Sequence, residues 1–158
     1  MAIYLKYGSV KGDATQQNHK DWIMVDSIQF GVGRAISTPV GQAVNREASE
    51  PSLSEVTLTK SFDVSSHELF GLSLVGIKGD KATIDFASTN AGGQNVMQIV
   101  LYEAVVSSYS FSSGGDAASE SFSLNFTKIE YNASPLDVDN KPRGPFKKAY
   151  DLATAKAS

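Results

Sequence analysis

The side chains best suited to chemistry are two histidines, His19 and His67, and neither stands in a pattern that would use it. His19 lies beside Asp21 and Trp22, just ahead of a strand-like run, where a structural or surface role outweighs metal binding or catalysis. His67 falls in the first turn of a predicted helix. A zinc site wants a spacing such as His-x-His or His-Glu-x-x-His, and the chain has neither. It has no cysteine, which excludes thiolate metal sites and disulfides. A serine nucleophile elbow needs Gly-x-Ser-x-Gly, also absent. Gly31-Val-Gly33 opens no helix and so makes no phosphate cradle. Asp137-Val-Asp139-Asn140 lacks the glycine and terminal glutamate of a calcium loop. These residues point to no enzyme, no metal and no cofactor. Trp22 reads as core or interface, ahead of a sugar-stacking platform. The basic cluster of Lys141, Arg143, Lys147 and Lys148 reads as a solvated face first and an acidic-partner surface second.

The whole chain restricts the partners further. Fourteen basic against 17 acidic side chains give a net charge of −3, which disfavours a nucleic-acid binder that needs a concentrated basic face. No run approaches the roughly 18 apolar residues of a membrane-spanning helix, so no membrane insertion is expected. The first seven residues alternate like a strand and lack a signal-peptide core, so export is expected to proceed without a cleaved signal. At 158 residues the chain fits a single domain, 1–158.

The elements are mostly strands. Residues 96–111 are apolar on both parities, through Met97, Ile99 and Leu101 on one and Val100, Tyr102 and Val106 on the other. A Ser113-Gly-Gly-Asp116 hinge leads into residues 120–131, where Phe122, Leu124 and Phe126 alternate with Ser121, Ser123, Asn125 and Thr127. This period of two predicts a long β-hairpin. The parity flip to Ile129 and Tyr131 predicts a bulge. Similar patterns predict strands over 3–7, 22–33 (slipping at Asp26-Ser27), 53–62 and 81–88. Ser65-x-x-Glu68 reads as a capping box opening one flanking α-helix, Ser65 to Gly76, followed by Leu69, Phe70, Leu72 and Leu74. From Arg34 to Ser52 the chain is a long polar loop, and a loop of that length is usually functional. Residues 132–148 read as irregular and 149–158 as a frayed tail. The fold class is mainly β, an antiparallel β-barrel or sandwich with one helix on its flank.

Several segments, in order, resemble the Hcp family, the haemolysin-coregulated proteins of bacterial type VI secretion. They are Ile3-Tyr-Leu-Lys-Tyr-Gly-Ser-Val-Lys-Gly-Asp13, His19-Lys-Asp-Trp-Ile23, Ser27-Ile-Gln-Phe-Gly-Val-Gly33, and Leu58-Thr-Lys60 with Asp63 and Ser65. Val105-Val-Ser-Ser-Tyr109, Glu120-Ser-Phe-Ser-Leu-Asn-Phe126, Tyr131 and Gly144-Pro145 complete the set. The resemblance implies a structural, non-catalytic tube subunit that assembles into homohexameric rings. These stack into a tube driven by a contractile sheath and tipped by a spike protein. The same likeness implies a protein of the bacterial cytoplasm that is then secreted, carrying or chaperoning effector proteins. A phage-type tail tube protein and a β-sandwich module binding a ligand or carbohydrate are the alternatives.

Two sets of residues are expected to carry the assembly. Many relatives are glycine-rich where this chain has Thr38-Pro-Val-Gly-Gln-Ala-Val-Asn-Arg-Glu47. Within it, Val40, Gly41, Gln42, Ala43, Val44, Asn45, Arg46 and Glu47 form the expected ring-stacking loop. Ser121, Ser123, Asn125 and Thr127 form the candidate lumen or cargo face, which otherwise meets solvent or a neighbour.

Overall fold

Each parity slip in the sequence marks a place where the chain leaves one sheet for another. In the computed structural model the described residues are 1–37, 40–41, 47–48 (backbone only), 50–76, 78–89 and 92–158. The strands are β1 (Ala2–Tyr7), β2 (Ile23–Val25), β3 (Ser27–Gln29), β4 (Val32–Gly33), β5 (Ile36–Ser37), β6 (Glu47–Ala48), β7 (Ser52–Leu53) and β8 (Val56–Ser61). Helix α1 (Ser66–Val75) follows, then β9 (Asp80–Ala87), β10 (Asn95–Ser112), β11 (Ser119–Asn125), β12 (Lys128–Ala133), β13 (Phe146–Asp151) and β14 (Lys156–Ala157).

Two antiparallel sheets share one strand. The first runs β14-β13-β12-β10-β9-β1-β2, and the second β10-β11-β8-β3. β10 is 18 residues long, and its first half lies between β9 and β12 while its second half pairs with β11. The chain changes sheets near Glu103, which adopts a left-handed φ of 52° where the β9 register shifts. Gly79 leaves room for this bend, because a Cβ there would sit 2.4 Å from the Glu103 carbonyl carbon. Strand β2 pairs with β1, but after Asp26 strand β3 pairs with β8 in the other sheet. The fold is a sandwich, and its strands do not close into a barrel. Leu5, Ile23, Leu58, Ile84, Ile99, Leu101, Phe122 and Leu124 fill the space between the sheets, with Leu69 of α1 among them. That shared apolar burial is the main force holding the layers together.

Three local expectations change. The flip after Phe126 is the passage from β11 to β12, not a bulge within one strand, and Thr127 N–H donates to the Tyr102 carbonyl there. The capping box does not form: Ser65 has helical dihedrals and makes no side-chain cap. Asp63 takes over, its Oδ1 accepting from Ser65 N–H at 2.8 Å while the Ser66 hydroxyl accepts from Asp63 N–H at 3.0 Å. The tail is also paired. β13 matches all six residues of β12, and Ala149 and Ser158 exchange backbone hydrogen bonds of 2.9 and 2.8 Å. Burial of Ala149 and packing of Tyr150 on the core supply the anchoring that three upstream prolines disguised.

Gly79→Ala should therefore destabilise the fold by about 1–3 kcal/mol through overpacking against the β10 bend, a loss readable from the urea-unfolding midpoint. An unchanged midpoint would show that Glu103 can shift without cost.

Candidate functional site

The second sheet buries one face and presents hydroxyls on the other. Register alone aligns them in rows across four strands: Ser27, Thr59, Ser121 and Ser110 in one, Gln29, Thr57, Ser123 and Ser108 in the next. Ser61, Ser119 and Ser112 make a shorter third row. Side-chain contacts confirm the common face, since the Ser27 and Thr59 hydroxyls bond each other and Ser107 and Ser123 do so at 2.8 Å. A bulge between Val106 and Ser108 puts two serines opposite Ser123. Ser121, Ser123 and Asn125 thus share the face, with Ser123 nearly covered by its neighbours. Thr127 does not join them. It lies beyond the end of β11, and its hydroxyl reaches the Tyr102 carbonyl and Glu103 at 3.4 Å.

Glu55 stands at one end of this face, before β8. Ser107 donates to its Oε2 at 2.8 Å and Asn125 to its Oε1 at 3.3 Å. The Ser107 hydrogen bond, with Asn125 and Ser123 aiding, outweighs desolvation and holds the carboxyl below its ordinary range. At the other end Ser61 donates to Asp26 at 3.3 Å.

Behind the face lies a buried polar network. Lys60 is fully buried, an unusual place for a lysine, and four oxygens surround its ammonium. It donates to Glu120, to Asp63 at 2.9 Å, to the Ser66 hydroxyl at 3.2 Å and to the Ser61 carbonyl at 3.0 Å. Ser66 in turn donates to Glu120 at 2.9 Å, and the Tyr109 hydroxyl donates to the other Glu120 oxygen. Burial first, and the Glu120 contact second, raise the Tyr109 pKa, so the phenol stays a donor. β8, β10, β11 and α1 are tied at one point, which fixes the register of the hydroxyl rows outside.

The two histidines take structural and surface positions. His19 is buried between Tyr4, which stacks on it at 4.4 Å, and Trp22, which meets it edge-on at 4.7 Å. Its Nε2 lies 2.9 Å from Asp85, which also accepts from Asn95 and Gln98, both at 2.8 Å. His67 is exposed on the helix beside Glu68. Asp137 Oδ1 accepts from Asp139 and Lys141 N–H groups at 2.9 Å, so it organises its own turn.

The long loop is partly a narrow two-stranded arm. Val32 pairs with Leu53 and Gly33 with Ser52, then Ile36 with Ala48 and Ser37 with Glu47. Val40 and Gly41 sit exposed in a turn; Gln42, Ala43, Val44, Asn45 and Arg46 lie outside the described residues. Val32, Ile36 and Val40 all leave large apolar surface uncovered.

A two-sheet sandwich with a helix on its flank is also the architecture of solved type VI secretion proteins. Residues 4–132 match the family described as "Type VI secretion system effector, Hcp", and the chain is a member of that family. Protein hcp1 of Pseudomonas aeruginosa is 28% identical over 156 residues, covering 95% of this chain and 94% of that one. A structure titled as a type six secretion system protein superposes with a TM-score of 0.92 at 22% identity, over 99% of both chains. Hcp1 from Salmonella typhimurium gives a TM-score of 0.79 at 19% identity, over 99% of this chain and 98% of that one. The chain is a subunit of the type VI secretion tube, a secreted structural protein whose family forms ring-shaped oligomers. No helix among the described residues is long and apolar enough to cross a membrane.

Sequence reasoning missed Thr57, Thr59, Ser27, Gln29 and Glu55 as parts of the face. The signal was present in Thr57 and Thr59, which alternate with Val56 and Leu58.

Lys60→Met should cost about 3–5 kcal/mol, because it strands the Glu120 carboxylate in the core. Lys60→Met with Glu120→Leu should recover part of that loss in urea unfolding; a double variant no more stable than the single would contradict the account. Ser107→Ala should raise the Glu55 pKa toward its ordinary value, read by carbon NMR titration of the carboxyl. The sign follows from linkage: a folded-state pKa below the unfolded one stabilises at pH above the ordinary carboxylate range, and that contribution disappears as pH falls through the folded value.

Proposed function

We propose that the subunit closes into a ring of six with the hydroxyl face of the second sheet turned toward the lumen. The observation that carries this reading is the pair of free edges on that sheet. Among the described residues β3 pairs only with β8, and the 105–112 half of β10 pairs only with β11. Such edges invite pairing with another chain, and a β3-to-β10 contact between copies would remove both. Repetition of one head-to-tail contact closes a ring when its rotation permits. The apolar face of the sheet is already occupied by core and helix, leaving the hydroxyl face for the wet side.

The arm built from β4 to β7 is then the contact between stacked rings. Its uncovered Val32, Ile36 and Val40 support this role, since exposed apolar groups gain by seating on a neighbour. Of the expected loop Val40 to Glu47, the described Val40 and Gly41 lie in the turn at its far end. Effector proteins are the proposed contents of the lumen, held by hydrogen bonds without large apolar burial. The contractile sheath and the spike protein are the proposed partners outside the ring and at its tip.

Native mass spectrometry should find six copies at micromolar concentration, and only monomer would overturn the ring. Deleting residues 40–47 should leave that mass at six shortened copies but abolish tube formation and secretion. Unchanged secretion by the deletion variant would remove the arm from the stacking contact.

A further inference from the structure

The outer sides of the two sheets carry different charges: mixed and paired on the first, acidic and unpaired on the second. On the outer side of the first sheet Lys81 and Lys128 flank the Tyr102 ring at 5.7 and 5.2 Å, and Lys147 pairs with Glu130 at 3.3 Å. On the hydroxyl face of the second sheet, among the described residues, the charged side chains are Glu55 and Asp26 alone. The one basic residue of β8, Lys60, points into the core. Neither carboxylate has a cationic partner among the described residues. Glu55 is exposed, and its hydrogen bonds come from neutral donors that preserve its charge.

We propose that the hydroxyl face binds basic protein segments, so that the tube's cargo presents lysine and arginine side chains to the lumen wall. This rests on the lumen reading above. Glu55 and Asp26 lie at opposite ends of β8, roughly 20 Å apart at strand rise. Ring symmetry would repeat each into a circle of carboxylates near one mouth of the ring. A concave wall carrying one sign of charge focuses its field and concentrates counter-ions of the other sign. Between the circles the hydroxyls both donate and accept, and therefore place no charge demand on what passes. Attraction at the mouths and indifference along the wall suit a segment that must be held and then released. Electrostatic holding of this kind weakens with salt, unlike apolar burial.

The test uses the intact ring and three fluorescein-labelled peptides of equal length, a Lys-Ser, a Glu-Ser and a neutral Gly-Ser repeat, followed by fluorescence anisotropy. The Lys-Ser peptide should bind at low salt and release at high salt, and the Glu-Ser peptide should not bind. Glu55→Gln should weaken the Lys-Ser complex by roughly threefold to fivefold, the scale of losing one exposed charge pair. Glu103→Gln, which removes an exposed carboxylate off this face, should leave it unchanged. Equal binding of the Lys-Ser and Glu-Ser peptides, or a Glu55→Gln ring that binds like the parent, would overturn the basic-cargo assignment. Gln29→Trp separates the two levels of the argument, because it crowds the face without changing charge. If it weakens a neutral Gly-Ser peptide while the Lys-Ser preference is missing, the lumen reading stands and the cargo class fails. If it affects no peptide, the face does not line the lumen. Native mass of each variant confirms that a ring is being measured.

Discussion

The contact between Lys60 and Glu120 sets the terms for the rest of the molecule. Placing an ammonium in an apolar sandwich is costly unless every proton finds an oxygen, and here Glu120, Asp63, Ser66 and the Ser61 carbonyl provide them. Each of those oxygens comes from a different position: β11, the β8 end, the turn after it, and the first residue of α1. The charge cannot be satisfied unless the helix sits down on the sheet in one register. An apolar pair of the same volume could hold the layers as firmly, but it would tolerate small slips that this arrangement does not. Tyr109 extends the same lock to β10 through Glu120.

That lock matters because the useful surface is the reverse side of the same strands. Glu120, Phe122 and Leu124 point inward while Ser119, Ser121 and Ser123 point outward, so a slip of one residue would exchange core for face. Hydroxyl rows carry little register information of their own, since any serine can bond any other. The inner face, with Lys60 buried between Glu120 and Asp63, decides for both.

The alternation of residues 120–125 in the sequence made β11 and its two faces legible, and the Ser-Gly-Gly-Asp hinge made its pairing with β10 legible too. Parity flips at Asp26 and Phe126 were equally visible, but a flip reads the same for a bulge and for a change of sheet. Only long-range pairing distinguishes them, and pairing is not local information. The buried ion pair left a trace that propensity overlooks: Lys60 continues the parity of Val56 and Leu58, and Glu120 that of Phe122 and Leu124. Opposite charges closing two apolar parities are a signal for such a pair. β13 stayed hidden because its apolar pattern is short and prolines crowd its approach. The arm was legible only as a long polar stretch, since two-residue ladders leave no periodicity.

β10 also has a mechanical meaning. Its 18 residues run through both sheets, hydrogen-bonded to β9 and β12 along one half and to β11 along the other. A pull along this strand loads those ladders side by side, so many bonds must yield together rather than unzip one at a time. The strand therefore acts as a tie rod through the subunit, and a thrust or tension delivered to one sheet reaches the other without crossing a loop.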